Sequence, residues 1–358
     1  MELQPRMDPC SHCGACMSFC VWDAALRTGR PAGPDLCRDC QVCYRICPRL
    51  PHDSNALATT LFPSAKSTAW GHALATYTGR ASHRPAYVQD GGMATALATF
   101  LLERGEAEAV LVTGRDEDWQ PHPFWATDAA NVLKASGSKY STAPALSILG
   151  QANGRYQRMA SIVLPCQAAA LARLRQAEPA WKGRITLVIG LFCSKTFVHR
   201  ADSTGLMDFI EQKTGHSARE IERFDIRRGR LIARRAEETA EWRIKEFSEA
   251  AWPICAACQD LSAEFADISL GSIGSSEGNC TVIVRSERGA AILDAGQKAG
   301  LWELAPLENT ESLEKLSAGK RNNPEMLSED QRKLYGRSSV RGNWHRRVHK
   351  SSTFGQAT

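Results

Sequence analysis

The chain has 358 residues, 43% of them hydrophobic and 23% charged, which is enough for about two domains with a buried core and excludes a disordered or fibrous chain. The 44 Lys and Arg exceed the 39 Asp and Glu by five. Seven cations (Arg332, Lys333, Arg337, Arg341, Arg346, Arg347 and Lys350) fall in the last 28 residues, which hold no acid, so the body is nearly neutral and a nucleic-acid-binding role for the whole chain loses its basis.

The longest apolar stretches, 94–102 and 185–193, are about half the length of a bilayer-spanning helix. Residues 1–9 lack a basic flank followed by an apolar run, which predicts no secretory signal and a reducing, cytoplasmic setting. There the thirteen cysteines are expected to bind metal rather than form disulfides.

Eight cysteines form an internal repeat: Cys10, Cys13, Cys16 and Cys20, then Cys37, Cys40, Cys43 and Cys47, each run spaced two, two and three residues apart, the second followed by Pro48. Two-residue gaps let three thiolates of one tight loop wrap a cubane, and the fourth sulfur ligates the other cluster. The spacing therefore predicts two [4Fe-4S] clusters, one on Cys10, Cys13, Cys16 and Cys47, the other on Cys37, Cys40, Cys43 and Cys20. A pair of structural zinc sites would want two CxxC knuckles instead of two complete runs. Val21 stands after Cys20 where the second run has Pro48.

Residues 50–84 carry Ser, Thr and Pro with little periodicity and read as a linker. Strand-like runs at 109–113, 161–164 and 185–191 then alternate with helical patterns at 127–135 and 168–176, which predicts an α/β domain with a partly parallel sheet. Cys166 and Cys193 each follow one of those strands with one helix between them. A strand–helix–strand unit sets both thiols at the same sheet edge, where α/β proteins place their sites. The CxxC pair Cys255 and Cys258 can complete a third four-iron cluster, and Cys280, alone in a β-type run, reads as core. Three small-residue turns, at 89–95 (with Asp90, Gly91, Gly92 and Thr95), at 136–140 (with Ser138, Lys139 and Tyr140) and at 271–278 (with Ser272 and Gly274), suit a large phosphate-bearing cofactor. From about residue 322 the chain is basic and without apolar periodicity, a solvated end or an arm for an acidic partner or anionic substrate.

The blocks Gln89-Asp90-Gly91-Gly92, Ser138-Lys139-Tyr140, Leu164-Pro165-Cys166-Gln167, Gly190-Leu191-Phe192-Cys193 and Cys255 to Cys258, followed by the run from Ala263 to Ser275, resemble the family of beta subunits of coenzyme F420-reducing hydrogenase. That family extends to the input subunit of F420H2 dehydrogenase, formate dehydrogenase beta subunits and chlorophyll-pathway reductases. The resemblance runs from about residue 85 to 310. It implies a ferredoxin-like two-cluster α+β module at 1–60, a linker at 61–84, a flavin- and cluster-binding α/β core at 85–310 and a basic, flexible tail at 311–358.

By the same resemblance, FAD lies against Asp90, Gly91, Gly92, Thr95, Ser138, Lys139, Tyr140, Ser272 and Gly274, and a [4Fe-4S] cluster is held by Cys166, Cys193, Cys255 and Cys258. Lys139 would stabilise reduced flavin or contact a phosphate. Relatives commonly carry Gly-Trp-Ser-Thr where this sequence has Gly278-Asn279-Cys280-Thr281, and an acidic residue at the position of Lys195. Clusters pass single electrons and a deazaflavin or nicotinamide passes a hydride, so a flavin must convert between them. The expected function is an FAD- and iron–sulfur-dependent oxidoreductase linking coenzyme F420 to one-electron acceptors through FAD and three [4Fe-4S] clusters. The alternatives are a ferredoxin-fed reductase of a tetrapyrrole or other organic substrate, or an electron-transfer subunit of a hydrogenase or formate dehydrogenase complex. The expected partners are the hydride carrier and a redox protein, docked without a membrane span.

Overall fold

The computed structural model describes residues 10–19, 42–50, 52–84, 88–201 and 203–323. Short helices α1 (Ala15–Phe19), α2 (Val42–Ile46) and α3 (Ser54–Leu61) come first. Strands β1 (Lys66–Thr68), β2 (Gly71–Ala73) and β3 (Ala75–Ala81), helix α4 (Met93–Glu103), the hairpin β4 (Ala109–Arg115) and β5 (Pro121–Ala126), and α5 (Ala129–Lys134) follow. Next are β6 (Met159–Val163), α6 (Pro165–Ala177), α7 (Pro179–Lys182), β7 (Ile185–Leu191) and α8 (Leu206–Thr214). Then come β8 (Arg223–Arg227), β9 (Arg230–Arg235), β10 (Glu238–Arg243), β11 (Ile268–Gly271), β12 (Cys280–Val284), α9 (Glu287–Lys298), β13 (Trp302–Pro306) and α10 (Glu311–Arg321).

Eight strands form one sheet in the order β13-β3-β12-β11-β7-β6-β4-β5. The four central strands, β11, β7, β6 and β4, are parallel, and each flank is antiparallel. Parallel strands need both faces covered, and the sequence supplies apolar residues in both directions. Leu111, Met159 and Val188 pack with Ala168 and Leu171 of α6 on one face. Val110, Ala160 and Leu187 pack with Leu97 of α4 and Ile292 of α9 on the other. A smaller antiparallel sheet, β10-β9-β8, covers a separate core containing Phe197, Ile210, Phe224 and Phe247.

Side-chain caps fix several helix starts. Asp53 accepts from the Ala56 amide at 2.9 Å, Asp128 from Asn131 at 2.7 Å and Ser286 from Gly289 at 3.0 Å, each satisfying a donor that the first helical turn leaves open. Helix α6 starts on Pro165, whose missing N–H costs nothing at that position. Buried Gln167 accepts from the Leu164 amide at 2.8 Å and donates to the Ala143 carbonyl at 3.0 Å, which pins the turn that carries Cys166.

The α/β core with its partly parallel sheet is as the sequence predicts, but the region read as a linker contains α3, β1, β2 and β3, and β3 is an inner strand of the large sheet. The tail as drawn from residue 311 opens with α10, whose Leu313 is fully buried. Of the expected ferredoxin-like module, Cys20, Cys37 and Cys40 lie outside the described residues, as do residues 324–358. Its described part docks on the α/β core. The Leu146 amide donates to the Cys13 carbonyl at 2.9 Å, Trp252 Nε1 to the Cys10 carbonyl at 2.9 Å and Arg173 Nε to the Arg45 carbonyl at 2.8 Å. Gly14, at φ +86°, permits this approach, because a Cβ there would stand 2.6 Å from the Pro144 carbonyl oxygen. Among the described residues no helix is long and apolar enough to cross a membrane.

Candidate functional site

The register levels the carboxyl ends of the central strands: Val163 pairs with Gly190, and Leu191 with Leu270. Cys166 therefore sits on the first turn of α6, and Cys193 lies two residues beyond β7 with its amide bonded to the Leu261 carbonyl at 2.8 Å. Cys255 and Cys258 come from the loop before β11. All four border one cavity together with Arg49 and Lys320. Thr196 joins Thr142 by a hydroxyl contact of 2.7 Å and approaches Cys255 Sγ at 3.7 Å, while Cys258 Sγ donates to the Asp260 carbonyl at 3.6 Å.

Burial, reinforced by Cys13, Cys258, Cys193 and Cys255, pushes the Cys166 thiol far above its ordinary range. Burial pushes Cys193 up to about 12, against the Lys320 charge and with Cys255 and Cys258 adding to it. Thiols held neutral in this way ionise when a metal replaces their protons. Among the described residues no three His, Cys, Asp or Glu side chains are placed to hold a single metal ion. The four sulfurs border a cavity instead of meeting at a point, a donor set that fits a multi-atom iron–sulfur cluster better than zinc with its Zn–S distance of about 2.3 Å.

The N-terminal run supplies a neighbouring set. Burial pushes Cys13 up to about 12, with the nearby charges of Cys47 and Cys16 adding to it. Cys16 is raised by burial and by Cys10 and Cys47, and Cys47 by burial and by Cys10. Cys10, Cys13, Cys16 and Cys47 thus lie within one another's electrostatic reach, the quartet that the crossed spacing assigns to one cluster. Cys13 also acts on Cys166, which sets the two quartets side by side.

The three small-residue turns also meet. Gln89 Nε2 donates to the Tyr140 hydroxyl at 3.3 Å and to Asp225 Oδ1 at 2.7 Å, and Ser138 Oγ donates to Gln89 Oε1. Arg84 Nη1 donates to the Asp90 carbonyl at 3.4 Å and the Gly278 carbonyl at 3.0 Å, and Arg227 lies 3.4 Å from the Asp90 carboxylate while also pairing with Glu277. Asp90 adopts φ +47° and Gly92 φ +69°. Gly92 caps α4, with Thr95 in its first turn, and no side chain caps that end, so the first amides can serve an anion. Gly91 has a different reason to be small: a Cβ there would stand 2.5 Å from the Gly79 carbonyl oxygen of β3. Ser272 is exposed on the third turn, and Gly274 adopts φ +97° there.

Lys139 Nζ donates to the carbonyls of Ala135, Ser136 and Gly137, closing the end of α5. Burial, aided by the Arg115 charge, pushes its pKa down to about 7. On the protein carrying 13C-dimethylated lysines, the Lys139 resonance is expected to titrate near pH 7, well below an ordinary lysine at about 10.4. A Lys139 signal that does not move below pH 9 would contradict this. Burying a partly ionised amine costs stability at pH below about 7, and that cost is relieved as pH rises through 7 toward the unfolded value. Cys280 is buried in β12, its thiol donating to the Gly79 carbonyl at 3.5 Å, as a core residue should. Sequence reasoning missed Arg49, Lys320 and the Gln89–Asp225 tie. The first two carried no signal beyond being cations near cysteine or in a basic helix.

Residues 76–150 match the N-terminal part of the family described as "Coenzyme F420 hydrogenase/dehydrogenase, beta subunit", and residues 156–310 match its C-terminal part. The chain is 32% identical to the coenzyme F420 hydrogenase subunit beta of Methanothermobacter thermautotrophicus, over 66% of this chain and 86% of the relative. It is 28% identical to one subunit of the F(420)H(2) dehydrogenase of Methanosarcina mazei, over 80% and 82%. It is 31% identical to the coenzyme F420-dependent sulfite reductase of Methanocaldococcus jannaschii over 86% of this chain, which spans only 48% of that larger protein. A chain in the structure of the F420-reducing [NiFe] hydrogenase complex from Methanosarcina barkeri superposes with a TM-score of 0.69 at 27% identity, covering 78% of this chain and 99% of that one. Two matched segments spanning most of the α/β core, on a fold shared with that complex, place the chain in the family of coenzyme F420 hydrogenase/dehydrogenase beta subunits.

Proposed function

We propose that the protein is an iron–sulfur flavoprotein oxidoreductase that exchanges electrons between coenzyme F420 and one-electron acceptors. The observation that carries this reading is the juxtaposition of two cysteine quartets, joined at Cys13 and Cys166, at the carboxyl edge of a sheet whose small-residue turns converge nearby. The F420-linked names of its relatives and family support the carrier. Cys166, Cys193, Cys255 and Cys258 would hold one four-iron cluster and Cys10, Cys13, Cys16 and Cys47 a second. Cys20, Cys37, Cys40 and Cys43 would complete a third.

FAD, when bound, supplies the conversion between two-electron and one-electron chemistry. The chain's own residues bind and orient. The open amides at the start of α4 and the Asp90–Gly92 turn would receive the pyrophosphate, with Ser138, Tyr140, Ser272 and Gly274 around it. Gln89, fixed by Asp225, holds the first two turns in register. Lys139 would offset negative charge on the reduced flavin or on a phosphate. Its three carbonyl acceptors keep it in place.

The test is anaerobic mixing of the purified protein with reduced F420 and, separately, with NADH or NADPH, while the flavin absorbance is followed. Bleaching by reduced F420 alone is the expected result. Bleaching by neither donor would favour the ferredoxin-fed reductase or a pure relay, and bleaching by a nicotinamide alone would replace the carrier.

A further inference from the structure

The cations beside the core cysteines come from outside the segments that match the family. Lys320 lies on the last turn of α10, beyond residue 310, and Arg49 precedes residue 76. Lys320 is only 7% exposed, donates from Nζ to the Cys193 carbonyl, and forms no ion pair with a carboxylate among the described residues. Helix α10 is tied down there at several points. Leu313 is fully buried, Arg321 donates to the Ala69 carbonyl at 3.1 Å, and Asn323 donates to the Cys258 carbonyl at 3.0 Å. A buried ammonium is costly unless negative charge faces it, and what faces Lys320 across the cavity is the cysteine quartet, with Asp260 at its side. Arg49, two residues after Cys47, lines the same cavity as Cys166, Cys193, Cys255 and Cys258.

We propose that Lys320 and Arg49 are positioning cations that raise the reduction potential of the centre held by Cys166, Cys193, Cys255 and Cys258. This rests on reading that quartet as an iron–sulfur site. Uptake of one electron adds one negative charge to a centre already carrying four thiolates, and a fixed buried cation favours the more negative state. Lys320 lines the cavity of the core centre, whereas Arg49 lines it and also follows Cys47 of the other centre by two residues.

The experiment is an EPR-monitored redox titration of the anaerobically purified full-length protein and three variants. Lys320→Gln keeps a donor for the Cys193 carbonyl without the charge, and Lys320→Arg keeps the charge. Lys320→Gln is expected to lower the reduced-to-oxidised ratio of the core centre about tenfold at a fixed potential, which for one electron is about 59 mV. Lys320→Arg stays close to the parent. Arg49→Met lowers both the core centre and the Cys47 centre, while Lys320→Gln leaves the latter in place. An unchanged potential in Lys320→Gln, an equal fall in Lys320→Arg, or loss of the core iron from Lys320→Gln would overturn the proposal, since a charge that tunes a potential is not needed to assemble the centre. A parent protein with no core iron–sulfur signal would instead overturn the underlying assignment, and the inference with it.

Discussion

Arg285→Met is expected to lower the free energy of unfolding by about 3–5 kcal/mol, the range for removing one partner from a buried charged network. Arg285 follows β12 and is completely buried. Its Nε donates to Ser269 Oγ at 3.1 Å, Nη1 to the His72 carbonyl at 2.5 Å, and Nη2 to Ser262 Oγ at 2.8 Å and to the Ser262 carbonyl at 3.3 Å. One guanidinium thus joins the β2 hairpin, the central strand β11 and the segment leading from the CxxC pair into that strand. Burial pushes its pKa down to about 10, opposed by the charges of Glu264 and Asp260, so it remains charged at neutral pH. Methionine fills much of the volume but leaves several acceptors dry and removes a buried positive charge from the vicinity of Glu264 and Asp260. Against a typical total of about 5–15 kcal/mol, little stability would remain. Urea unfolding checks this through a lower midpoint at an unchanged slope. A change within about 0.5 kcal/mol, the range of an ordinary surface substitution, would contradict it.

Cys166→Ser is expected to remove about four of about twelve irons while the chain stays folded. Serine nearly matches the volume of cysteine, and the turn beneath it is pinned independently by Gln167 and Pro165. The N-terminal quartet shares no ligand with the core quartet, so its iron should survive. Electrons entering from the hydride carrier should then fail to reach the N-terminal centres, because Cys166 stands on the side that faces Cys13. Iron and sulfide analysis, with EPR after chemical reduction, reads both effects. Full iron content in the variant would remove Cys166 from the ligand set.

The elements legible in the sequence were those with strong local patterns. Strand β7 runs from Ile185 to Leu191, as its β-type residues predict, and the strand–helix–strand unit levels Cys166 with Cys193 because two parallel strands joined by one helix leave little freedom of register. The flanking antiparallel strands were harder. Strand β3 carries Thr76, Tyr77, Thr78, Gly79 and Arg80, too mixed to stand out from a linker, and it is a strand because β12 and β13 pair with it from more than 200 residues away. The small sheet was hidden for a similar reason: β8 and β9 are rich in arginines, several of whose partners, such as Asp90 and Glu277 for Arg227 and Glu220 for Arg235, come from other positions in the fold. The glycine turn at 91–92 was located correctly, but the close neighbour of Gly91 is the backbone of β3. In α10 the pattern distinguishes no buried lysine. Lys320 is buried and Lys315 exposed only because of how the helix docks, which the sequence of that helix does not state.

Iron, acid-labile sulfide and flavin content of the anaerobically purified full-length protein tests the central claim most directly. The account predicts about 12 irons, a matching amount of sulfide and one FAD per chain. Colourless protein that carries zinc in place of iron and releases no flavin on boiling would contradict it.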